Sequence, residues 1–86
     1  MKSFDYTITD PVGIHLRNIT PLIRLAREYP GCEVTIVKGG SAASLFRNTA
    51  VLKLAVKQGD TVTVRAEGEN EAAAADALEA FFRENL

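Results

Sequence analysis

His15 is the one histidine in this chain of 86 residues, and the residue types around it are those that handle phosphate. In "GIHLRN", Gly13 stands two residues before it and Arg17 two after it. An imidazole offers a nitrogen nucleophile near neutral pH. A guanidinium is a planar fork of donors that matches phosphate oxygens. A glycine permits the tight backbone turn that would present the ring. If a helix starts at Leu16, His15 caps it, and its ring lies beside amides that have no partner within the helix. Such an end attracts anions. It also disfavours an imidazolium, which leaves a lone pair free to attack. Glycine, histidine and arginine at this spacing suit a histidine that carries a phosphoryl group. The plainer reading is that a lone histidine near a helix start is a cap or a surface group without chemistry. Spacing alone does not separate the two.

The elements that must position this group are legible as periodic patterns. Phe4, Tyr6 and Ile8 alternate with polar residues, as in a half-buried strand. Pro11 and Gly13 break that strand. Ile19, Leu22, Ile23 and Ala26 form one apolar helix face, which Pro30 and Gly31 end. "CEVTIVK" predicts a second strand, "KGGS" a hairpin turn and "SAAS" a short return strand. "LFRNTAVLKLA" predicts a short helix with Leu45, Val51, Leu52, Leu54 and Ala55 as its apolar positions. Val62, Val64 and Ala66 mark a further strand. From Asn70 onward, Ala74, Ala77, Leu78, Phe81 and Phe82 share a helix face, with Asn70 expected as a side-chain N-cap and Glu71 at the positive helix end. The order β-α-β-β-α-β-α implies an α+β fold. It has one sheet covered by helices on one face and open to water on the other.

Composition narrows the function classes. The length suits one domain over residues 1–86. The first ten residues alternate rather than form an apolar block, and no run approaches the ~20 apolar residues of a membrane span. A cytoplasmic protein with no direct membrane insertion is expected. Cys32 is the only cysteine, so a zinc site is not expected and a small buried residue explains it. The formal net charge is −1, and with both signs taken as mixed along the chain, no nucleic-acid partner is expected.

"GIHLRN" resembles the active-site segment of the HPr family, the histidine-containing phosphocarriers of the bacterial sugar phosphotransferase system. The usual pattern there is Gly-Ile-His-x-Arg-Pro. The resemblance extends over the chain through the element order, "VKQGDTVTV" and "AEGENEAAAADALEAFF". It implies an open-faced β-sandwich: a four-stranded antiparallel sheet covered on one face by three helices. It implies phosphorylation of His15 on Nδ1, with Arg17 stabilising the transferring group. Enzyme I would donate the phosphoryl group and an enzyme IIA would accept it. No cofactor is implied, and a monomer is expected. Leu16, Thr20 and Arg24 of the first helix, with Arg47 and Leu52 near the second, would border the partner-docking surface.

Several positions depart from the family pattern. Asn18 replaces the usual proline, so the helix start is less firmly set. Pro21 fits either inside a helix that begins at Leu16 or in the first turn of one capped by Thr20; the family geometry favours the former. Arg47 occupies the place where many relatives carry a regulatory serine, and Ser44 is out of register. Asn48 and Thr49 stand where the family docking patch is usually apolar. For Arg24, the plain alternative is an i,i+4 pair with Glu28; for Arg47, a solvated side chain. Two other functions compete with a carrier. One is a non-catalytic HPr-like regulatory binding module. The other is a ligand-binding α/β-plait, which leaves His15 and Arg17 unexplained.

Overall fold

A computed structural model describes residues 1–86. Its elements run β1 (Lys2–Thr7), α1 (Leu16–Ala26), β2 (Cys32–Lys38), β3 (Ser41–Ser44), α2 (Asn48–Lys53), β4 (Thr61–Gly68) and α3 (Glu71–Asn85). The four strands form one sheet in the order β1-β4-β2-β3, and every pairing is antiparallel. A ferredoxin-like α/β-plait places β1 and β3 at the centre of its antiparallel sheet, whereas here β4 and β2 are central, so that alternative is set aside. The expected α+β fold, with three helices on a four-stranded sheet, is the observed one.

Register follows from which face is dry. Val64 lies opposite Phe4 on one side and Ile36 on the other. Val34, Ile36, Val62, Val64 and Ala66 are buried beneath the helices. The alternate positions face water, where Thr63 donates to Asp5 Oδ1 at 2.6 Å. From the helix side, Ile19, Leu22 and Ala26 of α1 and Ala74, Ala75, Leu78 and Phe82 of α3 complete the core. Phe82 is wholly buried, with Phe4 and Tyr6 edge-on to its ring at 5.7 and 5.6 Å. Burying such a side chain contributes about 1.5–3 kcal/mol. Cys32 is buried, and that burial raises its thiol pKa, with Glu71 and Glu33 adding to the effect. No helix is long and apolar enough to cross a membrane.

Two local expectations need correction. Asn70 is the N-cap of α3, as expected, but it adopts φ 58 and its side chain makes no cap hydrogen bond. The turn is instead closed by Glu71, whose Oε1 accepts the Gly68 amide at 3.1 Å. Gly68 sits at φ 125, where a Cβ would run into the Gly31 carbonyl oxygen. In α2 only Val51 is buried. Leu45 is buried but precedes the helix, Leu52 is exposed, and Ala55 lies beyond the helix end at φ 53. The expected face of α3 is the one that packs inward, with Ala74, Leu78 and Phe82 buried, Ala77 and Phe81 half-buried, and Ala75 buried as well.

Candidate functional site

The helix begins at Leu16, with Pro21 inside it, so the start capped by Thr20 is not the one adopted. Pro21 has no N–H to give the Arg17 carbonyl one turn earlier. Its exposed position lets water take that place. Hydrophobic anchoring by Ile19 and Leu22 on either side of it holds the turn helical.

His15 is the N-cap residue, extended at φ −140 and ψ 175. Its carbonyl accepts the amides of Asn18 at 2.9 Å and Ile19 at 3.0 Å, which closes the first turn. The cap is thus made by backbone. The ring is half-exposed and makes no hydrogen bond, so both ring nitrogens remain available. The amides of His15, Leu16 and Arg17 also have no intramolecular partner. Three free N–H groups and the positive helix end therefore adjoin an uncommitted imidazole, a setting suited to an anion.

The loop that delivers His15 is tied down on both sides. Asp10 Oδ1 accepts the Val12 amide at 2.8 Å, and the Asp10 carbonyl accepts that of Gly13 at 3.0 Å. Asp10 thus accepts from the turn backbone. Gly13 adopts φ 78 against the 56–57 backbone, with Lys57 Cα at 2.9 Å from where a Cβ would stand. A side chain would also strike the Val56 carbonyl oxygen, so no residue but glycine fits. That oxygen accepts the Ile14 amide at 3.1 Å. Before the loop, the Leu86 backbone oxygen accepts the amides of Thr9 and Asp10 at 2.6 and 3.0 Å.

The other residues singled out from sequence lie on the faces of α1 and α2. Arg17 is exposed in the first turn and makes no ion pair. Leu16 is 53% exposed and Leu52 41%, which is high for large apolar side chains. Thr20 and Arg24 line a shallow depression with Ile23, Arg27 and Asn48. Arg47, the N-cap of α2, lines an adjoining one with Asn48, Thr49, Ala50 and Lys53. Arg24 does not pair with Glu28, contrary to the plain alternative, and Arg47 is likewise unpaired. Ser44 lies in β3, and its carbonyl accepts the Arg47 amide at 3.0 Å.

Two features escaped the sequence reading. Asn18 is buried, and its Oδ1 has no hydrogen-bond partner. Charge, moreover, is segregated rather than mixed. None of the eleven carboxylates falls within residues 11–27 or 34–59. Seven of the ten Lys and Arg residues do: Arg17, Arg24, Arg27, Lys38, Arg47, Lys53 and Lys57. The net charge of −1 conceals this pattern, which a count by segment reveals. No three His, Cys, Asp or Glu side chains converge as a metal site would require.

Comparison with known proteins agrees with this geometry. Residues 2–84 match the family model described as "PTS HPr component phosphorylation site". The chain is 36% identical over 78 residues to phosphocarrier protein HPr of Lysinibacillus sphaericus, covering 91% of this chain and 88% of that protein. It is 38% identical over 72 residues to phosphocarrier protein NPr of Shewanella violacea, covering 84% and 78%. Among solved structures, a mycoplasma histidine-containing phosphocarrier protein superposes with a TM-score of 0.89 at 26% identity, over 96% of this chain and 93% of that one. HPr-C-His from Thermoanaerobacter tengcongensis gives 0.84 at 27% identity over the whole of both chains. With a family match across nearly its full length and the same fold in solved relatives, the chain belongs to the HPr family of phosphocarriers of the bacterial phosphotransferase system.

Proposed function

We propose that His15 is the phosphoryl acceptor and donor of this chain, charged by enzyme I and discharged to an enzyme IIA. In the first step the Nδ1 lone pair forms an N–P bond while the bond from phosphorus to the donor nitrogen breaks. The released electron pair stays on the donor. The second step repeats this toward the acceptor, and His15 recovers its lone pair. Little covalent work falls to the protein, so rate comes from position and charge. Arg17 and the free amides of His15, Leu16 and Arg17 would balance the charge on the phosphoryl oxygens. Leu16 and Leu52 would supply apolar contact with partners, and Thr20, Arg24 and Arg47 the polar rim. The carrier would act as a cytoplasmic monomer.

The observation that carries this reading is the uncommitted ring of His15 beside three unpartnered amides. The test is incubation with phosphoenolpyruvate and active enzyme I, followed by intact mass. An acid-labile phosphate on wild type, absent from His15→Ala, is expected. No adduct on wild type rejects the carrier. The polar Asn48 and Thr49, at the mouth of the α1–α2 depressions, favour a second reading as a regulatory binding module. That reading gains if His15→Ala keeps full partner affinity and biological effect.

A further inference from the structure

The His15 loop rests on the segment from Leu54 to Asp60. The Ile8 amide donates to the Asp60 carbonyl at 2.9 Å, and the Gly59 amide donates to the Ile8 carbonyl at 2.8 Å. Gln58 Nε2 reaches the Thr9 carbonyl at 3.2 Å. Val56 takes the Ile14 amide and walls in Gly13. The conformation of 54–60 therefore sets where residues 13–15 lie. In "LAVKQGD" Val56 is buried and Leu54 packs against the core, but from Lys57 to Asp60 no apolar side chain holds the conformation. Ala55 even adopts φ 53, a left-handed conformation unusual for a residue with a side chain.

One side chain from elsewhere in the fold does hold it. Lys38, at the end of β2, is half-buried and directs its ammonium at three acceptors. These are the Leu54 carbonyl at 3.1 Å, the Ala55 carbonyl at 2.9 Å and Asp60 Oδ2 at 3.1 Å. An ammonium has three hydrogens, so its donor capacity is filled. The first two acceptors are open carbonyls at the C-terminal end of α2, where a cation is favoured. The third acceptor, the Asp60 carboxylate, also accepts the Lys57 amide at 2.9 Å and closes the 57–60 turn. We propose that Lys38 is a positioning residue for His15, acting through the 54–60 segment on which the Gly13–His15 turn is seated. Its bearing on phosphoryl transfer rests on the carrier reading above. Lys38 touches neither the ring nor a phosphoryl group; it fixes the backbone against which Gly13 turns. The ionised state of Asp60 suits this role, since the Lys57 amide and then Lys38 hold its carboxyl below the ordinary range.

The experiment compares Lys38→Met, Lys38→Arg and Asp60→Asn with wild type, in the full chain. Amide exchange at Ile14 reads the seat directly, with β4 amides as the reference for global stability. In Lys38→Met, Ile14 exchange is expected to rise about tenfold relative to β4. The saturating rate of phosphorylation by enzyme I should fall about fivefold, with the half-saturating carrier concentration unchanged within about twofold. Lys38→Arg, which keeps charge and donors, should restore both quantities to within about twofold of wild type. Asp60→Asn should raise Ile14 exchange in the same direction. If Lys38→Met does not fold, Asp60→Asn against Lys38→Arg decides the matter by the same two readings. Ile14 exchange that follows β4, or an unchanged transfer rate, overturns the positioning role. A wild type that takes no phosphate sinks the carrier reading instead, and Ile14 exchange alone then decides whether Lys38 seats the loop.

Discussion

The face made by α1 and α2 and the side covered by α3 meet the same sheet, yet they are built in opposite ways. On the α3 side, the groups that hold the helix in place are satisfied. Phe82 is enclosed by Phe4, Tyr6 and the core, Glu79 pairs with Arg83 at 3.3 Å, and Glu71 takes the Gly68 amide. On the α1–α2 face, groups are left open. Arg17, Arg24, Arg27, Arg47 and Lys53 have no ion pair, the His15 ring has no partner, and Leu16 and Leu52 face water. A small domain has little stability to spare, so unsatisfied groups are tolerated where a ligand or partner can complete them. The contrast separates the half of the molecule that holds the fold from the half that is free to bind.

The stabilising role of the α3 side rests most heavily on Phe82. Phe82→Ala should destabilise the protein by about 3–5 kcal/mol, read from the urea midpoint. Below that midpoint, His15 phosphorylation should proceed at the wild-type rate. A loss under about 1 kcal/mol would mean that α3 is not the stabilising half. The binding half is tested by charge. Reversing Arg24 and Arg47 together to Glu should slow association with enzyme I by about 10–100-fold at low salt. The effect should shrink as salt rises, while stability moves by less than about 0.5 kcal/mol. Reversing Asp76 and Glu84 on α3 to Lys is the control and should change that rate by less than about twofold. Equal slowing by both pairs would erase the distinction between the faces. Pro21→Ala tests the stability of the binding half. The new amide can bond the Arg17 carbonyl, and a gain of about 1 kcal/mol is expected, since the proline lies near the helix start and its loss also loosens the unfolded chain. An unchanged midpoint would show that the open carbonyl costs nothing.

How far the sequence foretold these halves depended on the distance over which each feature acts. Strands and helix faces were legible because burial writes a local period: Val62, Val64 and Ala66 at two, Ile19, Leu22 and Ala26 at three and four. The spacing of Gly13, His15 and Arg17 was legible for the same reason, since one turn holds all three. The seat of His15 was not. Lys38 reaches Leu54 and Ala55, and Ile14 reaches Val56, across stretches that carry no period. Leu45 and Ala55 were read into the second helix as apolar neighbours of its run, but that helix has only six residues and one buried position, Val51. Asn70 was legible as the N-cap, but not that its side chain would stay unused, because the backbone, Gly68 and Glu71 make the turn instead. The buried, unpartnered Oδ1 of Asn18 has no sequence signal at all, since asparagine is ordinary near a helix start.

Acid provides the smallest test, because one ionised carboxylate serves each half. Lys57 N–H and Lys38 hold Asp60 below its ordinary value of 3.8. The Met1 amino group, at 2.6 Å, and then the Gly68 amide hold Glu71 below 4.5. A folded-state pKa below the unfolded one adds stability that is complete above the unfolded value and vanishes as pH falls through the folded one. Stability should therefore be flat above about pH 5 and decline below about pH 4. Both carboxylates are solvent-accessible, so each share is modest and salt should reduce it. The two losses should also separate in space. Asp60→Asn should flatten the acid dependence of Ile14 amide exchange and leave that of Ala74, whose amide bonds the Asn70 carbonyl at 2.9 Å. Glu71→Gln should do the reverse. If either variant flattens both amides alike, the seat of His15 and the start of α3 open as one unit, and the division between the halves does not extend to their local stability.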